Sequence, residues 1–489
     1  MGNAIAVLGS GSDVGKSLVA AGLCRLLKDA GLDVAPFKAQ NMANQAGVTR
    51  DGLEMPRAQI LQARACGLEP EVDMGPVLMK PVTPTGAQII LLGKALGAME
   101  ARDYFFDTAR FEAVAFQALD RLMARHPVLV LEGAGSAVEL NLMDRDFVNL
   151  KAARRAGAGI VLVLDIDKGG VFAQGLGTLE LLPAEDRTRV LGLVVNRFRG
   201  DPALFQDGIN LLEQLCGTPV LAVLPWMDHA LDEEDRPIRI PVDEPPVPGR
   251  LNVGALLSPR VANTEDLAPL LAEPDLHLSW ITTPALASQQ DLLILPGSKA
   301  TIGDLAHHAA TGMAEAVRDA HARGAWVLGL CGGYQMLGAT LEDPLGGEGG
   351  PRCWDGLGLL PLATRFAAAK TTENRLYTSL WPEPGHLLAG YEIHQGQSLA
   401  HGGAPLVREG GGDLGLVAER ALGSYLHGLL QSDPWRRAFL NQVRRDRGLA
   451  AQPEQRADAL ELRIRRWAGH LRANLRPGAW QRLLTAVSP

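Results

Sequence analysis

The glycine-rich segment at residues 9–17 (GSGSDVGKS) constrains the fold of this chain more than any other feature. It follows a short apolar run at residues 5–9 and precedes apolar residues at helical spacing. A glycine-rich turn between a strand and a helix presents backbone N–H groups and the positive end of the helix to phosphates. The first part of the chain is therefore predicted to be an α/β domain that binds a nucleotide.

Individual residues of this loop have predicted roles. Lys16 is expected to reach the β- and γ-phosphates of ATP, and the Ser17 hydroxyl is expected to bind Mg²⁺. Gly9 and Gly15 have five residues between them, one more than in the commonest P-loop. This spacing resembles the P-loop of dethiobiotin synthetase, a type whose members phosphorylate or activate carboxylates. The alternative is a turn that only begins a helix. The predicted nucleotide-binding residues of the loop are Gly9, Ser12, Asp13, Gly15, Lys16 and Ser17.

Four more short apolar runs alternate with helical patterns in the first half of the chain. They lie at residues 128–131, 160–164, 191–195 and 220–224. Short continuous apolar strands between helices predict a parallel sheet that is buried on both faces.

Polar residues follow three of these runs, at the strand ends where open parallel sheets bind ligands. Glu132 is a candidate Mg²⁺ ligand, or else an incidental residue of a turn. Asp165 or Asp167 could serve the metal or the substrate, or could be a solvated or capping carboxylate. Asn196 could read the edge of a nucleotide base, or could cap a helix.

A proline-rich segment at residues 241–250 (PVDEPPVPGR) is predicted to be a stiff linker, because clustered prolines exclude helix and central strand. The predicted domains are then residues 1–240 and 251–440, with a helical extension at 441–489. Leu460, Ile464, Trp467 and Leu471 recur at helical spacing in this extension. It is expected to pack on the second domain; the alternative is a mobile tail.

The second half of the chain restarts the α/β pattern. Apolar runs at residues 251–257, 291–295 and 325–330 are predicted strands. Glycine-rich stretches at residues 346–351 and 402–412 are predicted surface loops.

A cysteine follows the last of these strands, in the sequence Gly329-Leu-Cys331-Gly-Gly333. This is the pattern of a nucleophile elbow, in which glycines allow the sharp turn between a strand and a helix. The positive end of a helix favours the reactive thiolate, so Cys331 is the predicted nucleophile. Cys24 and Cys66 fall in helical patterns and are expected to be small core residues.

A cysteine nucleophile needs a base and a site for the oxyanion. His427 is the candidate base, and His394 is its rival. His307 and His308 are expected to be solvated. The strand-to-loop turn at Gly297 and Ser298 is the predicted source of oxyanion-stabilising N–H groups.

Composition excludes several classes of protein. The net charge is −8 and no long basic run occurs, which argues against nucleic acid as a partner. The five cysteines form no C-x-x-C pair, which favours a reducing, cytoplasmic location. No apolar stretch approaches the roughly 20 residues that span a bilayer, so no membrane partner is expected.

Taken together, these motifs resemble the cobyric acid synthase family of glutamine-dependent amidotransferases, and the resemblance covers essentially the whole chain. In the first half the matching segments are 12–17 (SDVGKS), 36–44 (PFKAQNMAN), 72–81 (VDMGPVLMKP), 164–173 (LDIDKGGVFA) and 196–201 (NRFRGD). The second half is similar to class I glutaminases of the cobalamin type, through 295–301 (LPGSKAT), 329–338 (GLCGGYQMLG) and 425–428 (YLHG).

The resemblance implies the reaction. A dethiobiotin synthetase-like ligase domain would use MgATP to phosphorylate the b, d, e and g carboxylates of adenosylcobyrinic acid a,c-diamide. Ammonia released from glutamine would then attack each acyl phosphate to give adenosylcobyric acid. By the same resemblance Lys38 lies near the transferred phosphate, Glu132 supports the metal, and Cys331 and His427 hydrolyse glutamine.

One position departs from the wider glutaminase class. The usual triad has a glutamate two residues after the histidine, and this sequence has Leu429 there. No residue near His427 in the sequence is an evident orienter of its ring, and Glu392 is a guess for that role.

Three alternatives remain. The sibling cobyrinic acid a,c-diamide synthase shares both domains, but residues 40–42 (QNM) and 73–76 (DMGP) favour the later enzyme. A ligase that uses free ammonia would not need Cys331 and His427. A P-loop ATPase switch that makes no product would not need the cysteine elbow.

Overall fold

The computed structural model describes residues 3–43, 46–81, 86–227, 231, 240–348, 352–410, 412–453 and 459–487. The chain forms two compact units. The first comprises residues 1–49, 53–236 and 460–489, and the second comprises residues 50–52 and 237–459.

The first unit contains a parallel sheet, a smaller mixed sheet and a two-stranded antiparallel sheet. Its strands are β1 (Ala4–Gly9), β2 (Val34–Phe37), β3 (Gln40–Met42), β4 (Ala46–Val48), β5 (Glu54–Pro56), β6 (Val77–Pro81), β7 (Gly86–Leu91), β8 (Lys94–Glu100), β9 (Val128–Glu132), β10 (Gly159–Asp165), β11 (Val190–Phe198) and β12 (Val220–Pro225). Six of these form the central sheet, in the order β12-β11-β10-β1-β9-β2. All of its pairs are parallel, as the short apolar runs predict.

Helices connect these strands. They are α1 (Lys16–Asp29), α2 (Arg57–Cys66), α3 (Ala101–Phe106), α4 (Thr108–Arg125), α5 (Leu150–Arg155), α6 (Val171–Leu181), α7 (Ala184–Arg187) and α8 (Gln206–Cys216). Because side chains alternate across a strand, Ala6 and Leu8 of β1 join one apolar core while Ile5 and Val7 join another. Both faces of the sheet are therefore covered, and ligand-binding residues are left to the strand ends.

The second unit contains an eleven-stranded mixed sheet. The strands of this unit are β13 (Leu251–Leu256), β14 (Val261–Ala262), β15 (Leu276–Ile281), β16 (Leu292–Leu295), β17 (Gly297–Ser298), β18 (Trp326–Leu330), β19 (Thr340–Asp343), β20 (Arg352–Asp355), β21 (Leu362–Ser379), β22 (Leu387–Ala400), β23 (Ala404–Glu409), β24 (Gly412–Ala418) and β25 (Ala421–Ser424). Its helices are α9 (Pro284–Ala287), α10 (Thr301–Ala310), α11 (Met313–Ala322), α12 (Gly332–Met336) and α13 (Asp433–Asp446).

The large sheet has a parallel part and a largely antiparallel part. Strands β15, β13, β16, β18 and β25 are parallel neighbours, and the sheet continues through β24, β23, β21, β19 and β20, with β22 paired to β21. The prediction of a surface loop at residues 402–412 is wrong, because residues 404–409 form β23. Leu406 and Val407 at the centre of this strand are buried, and the flanking glycines concealed it in the sequence. Of the other predicted loop, residues 349–351 lie outside the described part of the chain.

The proline-rich segment, predicted to be a linker between the domains, is instead part of the second unit. Val242 bridges to Trp280 of β15, and the Asp243 carboxylate accepts hydrogen bonds from Thr282 and Thr283. The chain passes from the first unit to the second between residues 236 and 237, inside the undescribed stretch that precedes this segment.

The end of the chain is helical, as predicted, but it does not pack on the second unit. Helices α14 (Ala459–Ala473) and α15 (Ala479–Val487) belong to the first unit, where Ile464, Trp467 and Leu471 are buried in the same core as Val7. The Trp467 indole N–H donates a 2.6 Å hydrogen bond to the carbonyl of Leu18 in α1. An apolar stripe shows that a helix needs a partner and does not show which one, so the sequence led to the wrong unit.

Candidate functional site

The phosphate loop lies where β1 ends and α1 begins. Gly15 has φ +96°, and a Cβ there would lie 2.1 Å from Nδ2 of Asn196, so only glycine fits. The ammonium group of Lys16 donates to the carbonyls of Gly11 (2.8 Å) and Gly135 (2.9 Å). The lysine is thus folded over its own loop, at the position where phosphates of a nucleotide would take the place of these carbonyls.

Residues at the ends of β10 and β11 contact the phosphate loop. Asn196 donates a 2.9 Å hydrogen bond to the carbonyl of Val14 and is buried. Arg197 pairs with the buried Asp165 (2.8 Å) and with Asp13 of the loop (3.0 Å). Asp165 therefore has a structural role in an internal ion pair and is not placed as a metal ligand. Asp167 likewise pairs with an arginine, the exposed Arg199. Arg197 stands in the NRFRGD segment, but nothing in the sequence indicated its role.

Glu132 is the centre of the polar network at the end of β9. Its Oε1 accepts hydrogen bonds from the Ser17 hydroxyl (2.7 Å) and the Lys38 ammonium (2.9 Å). Its Oε2 accepts from the amides of Gln62 (2.5 Å) and Gln59 (3.2 Å). Burial opposes ionisation of this 2% exposed side chain, but the charge of Lys38 and these hydrogen bonds outweigh it and lower the pKa of Glu132.

Two of these partners were missed by sequence reasoning. Gln59 and Gln62 lie three residues apart on α2, and both side chains are fully buried. Two glutamines on one face of a short helix, both inside an apolar core, are the signal that could have drawn attention to them, because buried amides require partners.

The oxygen atoms here fit a magnesium ion. Mg²⁺ prefers oxygen ligands and takes several of them from phosphates and water, so a hydroxyl and one carboxylate are enough from the protein. Ser17 and Glu132 supply these two groups in direct contact. Within the described residues no cluster of three or more His, Cys, Asp or Glu side chains suits a metal.

A cavity of about 440 Å³ extends from the phosphate loop. Lys16, Ser17, Lys38 and Glu132 line one end of it. Away from these groups its walls carry both apolar and polar side chains, including Gln40, Met42, Met79, Tyr104, Leu142, Arg145 and Phe147. Met42 and Leu142 are exposed, with 56% and 38% of their surface accessible, so the outer wall offers apolar area to a ligand.

A nucleophile elbow is present in the second unit, between β18 and the short helix α12. Cys331 has φ +51°, in the left-handed region that is uncommon for residues other than glycine. A Cβ at position 333 would lie 1.9 Å from the carbonyl oxygen of Leu295, so the second glycine of the motif is required for this close approach. The Cys331 thiol lies 3.6 Å from the carbonyl of Ile393.

The structure places His427, and not His394, against this cysteine. His427 is 1% exposed, and Cys331 is one of the neighbours that raise the pKa of its imidazole. His394 instead stacks on Tyr425 with 3.6 Å between ring centres, and its Nε2 lies 3.3 Å from Glu392. The suggestion that Glu392 orients His427 is wrong. One oxygen of Glu392 lies near His394, and the other accepts a hydrogen bond from Tyr377 (2.6 Å).

A different carboxylate contacts His427. Oδ2 of Asp266 lies 2.7 Å from Nδ1 of His427. Asp266 stands 161 positions earlier in the chain, just after β14, and no motif marked it.

The predicted oxyanion turn also lies beside the elbow. A Cβ built on Gly332 would come within 2.8 Å of the Ser298 nitrogen, and one built on Gly297 would lie 3.7 Å from Cε1 of His427. The Ser298 hydroxyl donates to Asp304 (2.6 Å), which holds the turn in place. The backbone of Gly297 and Ser298 is thus next to the nucleophile, while the side chain of Ser298 faces away to Asp304.

The prediction that His308 is solvated is wrong. His308 is 4% exposed, and its Nε2 lies 2.8 Å from the Ser258 hydroxyl. Burial lowers the pKa of His308 to about 4, so it is a neutral interior residue near neutral pH.

Comparison with known proteins agrees with this pair of sites. Residues 5–238 match the family of CobQ/CobB/MinD/ParA nucleotide binding domains, and residues 252–435 match the CobB/CobQ-like glutamine amidotransferase domain. The cobyric acid synthase of Chlorobaculum tepidum is 46% identical over 450 residues, which cover 89% of this chain and 90% of that protein. The chain belongs to the cobyric acid synthase family.

Further members of the cobyric acid synthase family match over similar lengths. The protein of Chlorobium phaeobacteroides is 45% identical and covers 90% of this chain and 92% of its own. That of Salmonella typhimurium is 44% identical, with 92% of each chain covered. The chain is accordingly a glutamine-dependent amidotransferase of cobalamin biosynthesis with an ATP-using domain. In the parts of the chain that the structure covers, no helix is long and apolar enough to cross a bilayer.

Proposed function

We propose that this enzyme amidates the b, d, e and g carboxylates of adenosylcobyrinic acid a,c-diamide to give adenosylcobyric acid. Each carboxylate is phosphorylated by ATP, and ammonia from glutamine displaces the phosphate. The observation that carries the proposal is the presence in one chain of a phosphate loop next to Glu132 and a cysteine elbow next to His427.

The chemistry requires both sites. A carboxylate is a poor electrophile, so phosphorylation supplies the leaving group. Free ammonia is mostly protonated near neutral pH, so its release from glutamine at the enzyme supplies the neutral nucleophile. Water must be kept from the acyl phosphate until the ammonia arrives.

In the ligase site, Lys16 and the N–H groups of the loop would hold the β- and γ-phosphates, which the folded position of Lys16 supports. Ser17 and Glu132 would hold Mg²⁺, an ion that neutralises charge on the transferred phosphoryl group. Lys38, at 2.9 Å from Glu132, is placed to approach the same phosphate. Asn196 supports the loop through its hydrogen bond to Val14, and its side-chain oxygen could still accept a hydrogen bond from the base of the nucleotide.

The walls of the cavity suit a corrinoid polycarboxylate. Such a ligand has an apolar ring with carboxylates and amides at its edge. Met42 and Leu142 would contact the ring, and Arg145 would bind a carboxylate that is not being amidated. Arg145 is exposed and makes no ion pair with any described carboxylate.

In the glutaminase site, Cys331 would attack the side-chain amide of glutamine, and His427 would act as the base. Backbone N–H groups of Gly297 and Ser298 would stabilise the oxyanion, which their closeness to Gly332 supports. All of the substrates are water-soluble, and the cysteines are free, so we place the enzyme in the cytoplasm.

The experiment that tests this function measures ADP release with and without the corrinoid, and with glutamine or ammonium as the nitrogen donor. We expect ADP release to need the corrinoid and either donor. Cys331→Ala should abolish the reaction with glutamine and leave the reaction with ammonium. ADP release that does not depend on the corrinoid would favour an ATPase switch. Activity of the wild type with ammonium and none with glutamine would favour a ligase with an unused glutaminase.

A further inference from the structure

The carboxylate of Asp266 is hydrogen-bonded to His427 and to the residue that follows it. Oδ2 lies 2.7 Å from Nδ1 of His427, and Oδ1 accepts a 3.0 Å hydrogen bond from the backbone N–H of Gly428. Asp266 is 2% exposed, and His427 is 1% exposed. Two hydrogen bonds from adjacent residues fix the carboxylate relative to the ring, with no solvent to compete.

The local fold explains this position. Asp266 lies in the 3₁₀ helix Thr264–Ala272, which follows Asn263, a residue with φ +54°. The N–H of Asp266 donates to the carbonyl of Asn263 (3.2 Å), which closes the turn. The first residues of this helix are thereby held beside the end of β25, where His427 is found.

The surroundings of His427 contain few other charged or titratable groups. Cys331 faces the ring, and Tyr391 stacks on it with 5.0 Å between ring centres. The amide nitrogen of Asn263 lies 3.3 Å from both ring nitrogens. Tyr391 in turn lies 3.2 Å from Glu265, which contacts the phenol and not the imidazole.

Glu392, the other nearby carboxylate, has different partners. Its oxygens are bonded to Tyr377 (2.6 Å) and to His394 (3.3 Å). The pair of Glu392 with His394 is therefore separate from the pair of Asp266 with His427, and of these two only the latter interacts with Cys331.

We propose that Asp266 is the positioning residue of His427, so that the glutaminase works through Cys331, His427 and Asp266. The carboxylate comes from the beginning of the domain and replaces the glutamate that class I glutaminases carry two residues after the histidine. This inference rests on the proposed hydrolysis of glutamine at Cys331.

The geometry fixes the proton movements. A hydrogen bond from Nδ1–H to Asp266 leaves Nε2 as the ring nitrogen that takes the proton from the Cys331 thiol. The thiolate attacks the amide carbon of glutamine, and the carbon–nitrogen bond then breaks. The proton on Nε2 passes to the departing nitrogen, which leaves as ammonia, and water later cleaves the thioester to release glutamate and restore the thiol.

The electrostatics agree with this role. Burial disfavours a charged imidazolium, but the Asp266 carboxylate and the contact with Cys331 more than compensate and raise the pKa of His427 well above its ordinary value. The Asp266 carboxylate therefore stabilises the imidazolium that forms when His427 takes the proton from Cys331.

The decisive variant is Asp266→Asn, compared with the matched Glu392→Gln. An amide at position 266 can donate to Nδ1 and so stabilise the wrong tautomer, and we expect glutamine hydrolysis to fall by at least about 100-fold. Glu392→Gln should lower it less than about tenfold, because a noncatalytic hydrogen bond is altered and not removed. Asp266→Glu, which keeps the charge, should recover part of the loss. Ammonium-dependent ligase activity should stay unchanged in all three variants. This activity is the control that shows that the chain is folded.

A purely structural role for Asp266 would not change the ionisation of the thiol. The rate of iodoacetamide alkylation of Cys331, followed by peptide mass mapping across pH, should have its inflection shifted upward by about one pH unit or more in Asp266→Asn. An unchanged inflection, or a loss of hydrolysis below tenfold, would overturn the proposal.

A measurement on the unmodified protein guards against a variant that fails to fold. Nitrogen NMR of ¹⁵N-histidine-labelled enzyme, with His427 assigned from a His427→Gln sample, should show its Nδ1 protonated. An Nε2-protonated neutral ring would overturn the proposal. A wild-type protein that does not hydrolyse glutamine would instead defeat the proposed function, and the NMR result would still decide on Asp266.

Discussion

The Ser17 hydroxyl donates a 2.7 Å hydrogen bond to Oε1 of Glu132, so the second residue of α1 and the last residue of β9 are in direct contact. Lys38 reaches the same oxygen at 2.9 Å. Ser17 lies in α1, Glu132 ends β9 and Lys38 follows β2, so residues from three parts of the chain meet at this oxygen.

Loss of the charge on Glu132 should therefore disable the ligase. In Glu132→Gln, the buried Lys38 loses its counter-ion and Mg²⁺ loses a carboxylate, and we expect ammonium-dependent amidation to fall by at least about 100-fold. Measurement of ADP release over a range of Mg²⁺ concentrations checks this. Glu180→Gln, on the surface of α6, is the control and should behave as the wild type. An activity within tenfold of the wild type would exclude a role for Glu132 at the metal.

The stability of the first unit should depend on pH through the same residue. The pKa of Glu132 is lowered on folding, so it contributes stability above the pKa of an unfolded glutamate, and this is lost as the pH falls toward the folded value. We expect the thermal transition of the first unit to move down on acidification below about pH 4.5. The Glu132→Gln variant should have a lower free energy of unfolding near neutral pH, and its stability should lack the pH-dependent part that Glu132 contributes. An equal acid sensitivity in both proteins would contradict the assignment.

Arg145 should affect the corrinoid and not the nucleotide. Arg145→Ala removes a charged hydrogen bond to a substrate carboxylate, and we expect the KM for the corrinoid to rise by about tenfold or more. The KM for ATP should stay within twofold. Arg187→Ala, which breaks an exposed pair with Glu180, is the matched control. Equal changes in both KM values would place Arg145 outside the substrate site.

The last two helices should be required for the first unit. Trp467 is 3% exposed against α1, and we expect Trp467→Ala to cost about 3–5 kcal/mol of the free energy of unfolding. Trp226→Ala, at a side chain that is 41% exposed, should cost less than about 1 kcal/mol. Denaturant unfolding of the two variants gives both values. Equal costs would show that α14 contributes little to this core.

The parts of the fold that local sequence determines were predictable. Apolar runs such as residues 160–164 became the strands of the parallel sheet, because a strand buried on both faces must be apolar throughout. The phosphate loop and the cysteine elbow were likewise visible, since glycine is required at position 15 by a positive φ and a close side-chain contact, and at position 333 by a close backbone contact.

Contacts between distant parts of the chain were not predictable. Trp467 and Leu18 are 449 positions apart, and Asp266 and His427 are 161 positions apart. In both cases the residue type indicated only that the side chain needed a packing or hydrogen-bonding partner, and several parts of the chain could have supplied one. The three-dimensional arrangement was needed to choose α1 over the second unit, and Asp266 over Glu392.

The central claim is that the two sites cooperate to amidate a corrinoid. The most direct test is mass spectrometry of adenosylcobyrinic acid a,c-diamide after incubation with the enzyme, MgATP and glutamine. We expect a ladder of products, each with one hydroxyl replaced by an amino group, and a nitrogen-15 label in the product when the glutamine amide carries it. An unchanged corrinoid while ATP is hydrolysed would contradict the claim, and amidation of the corrinoid lacking the a and c amides would assign the chain to the earlier step.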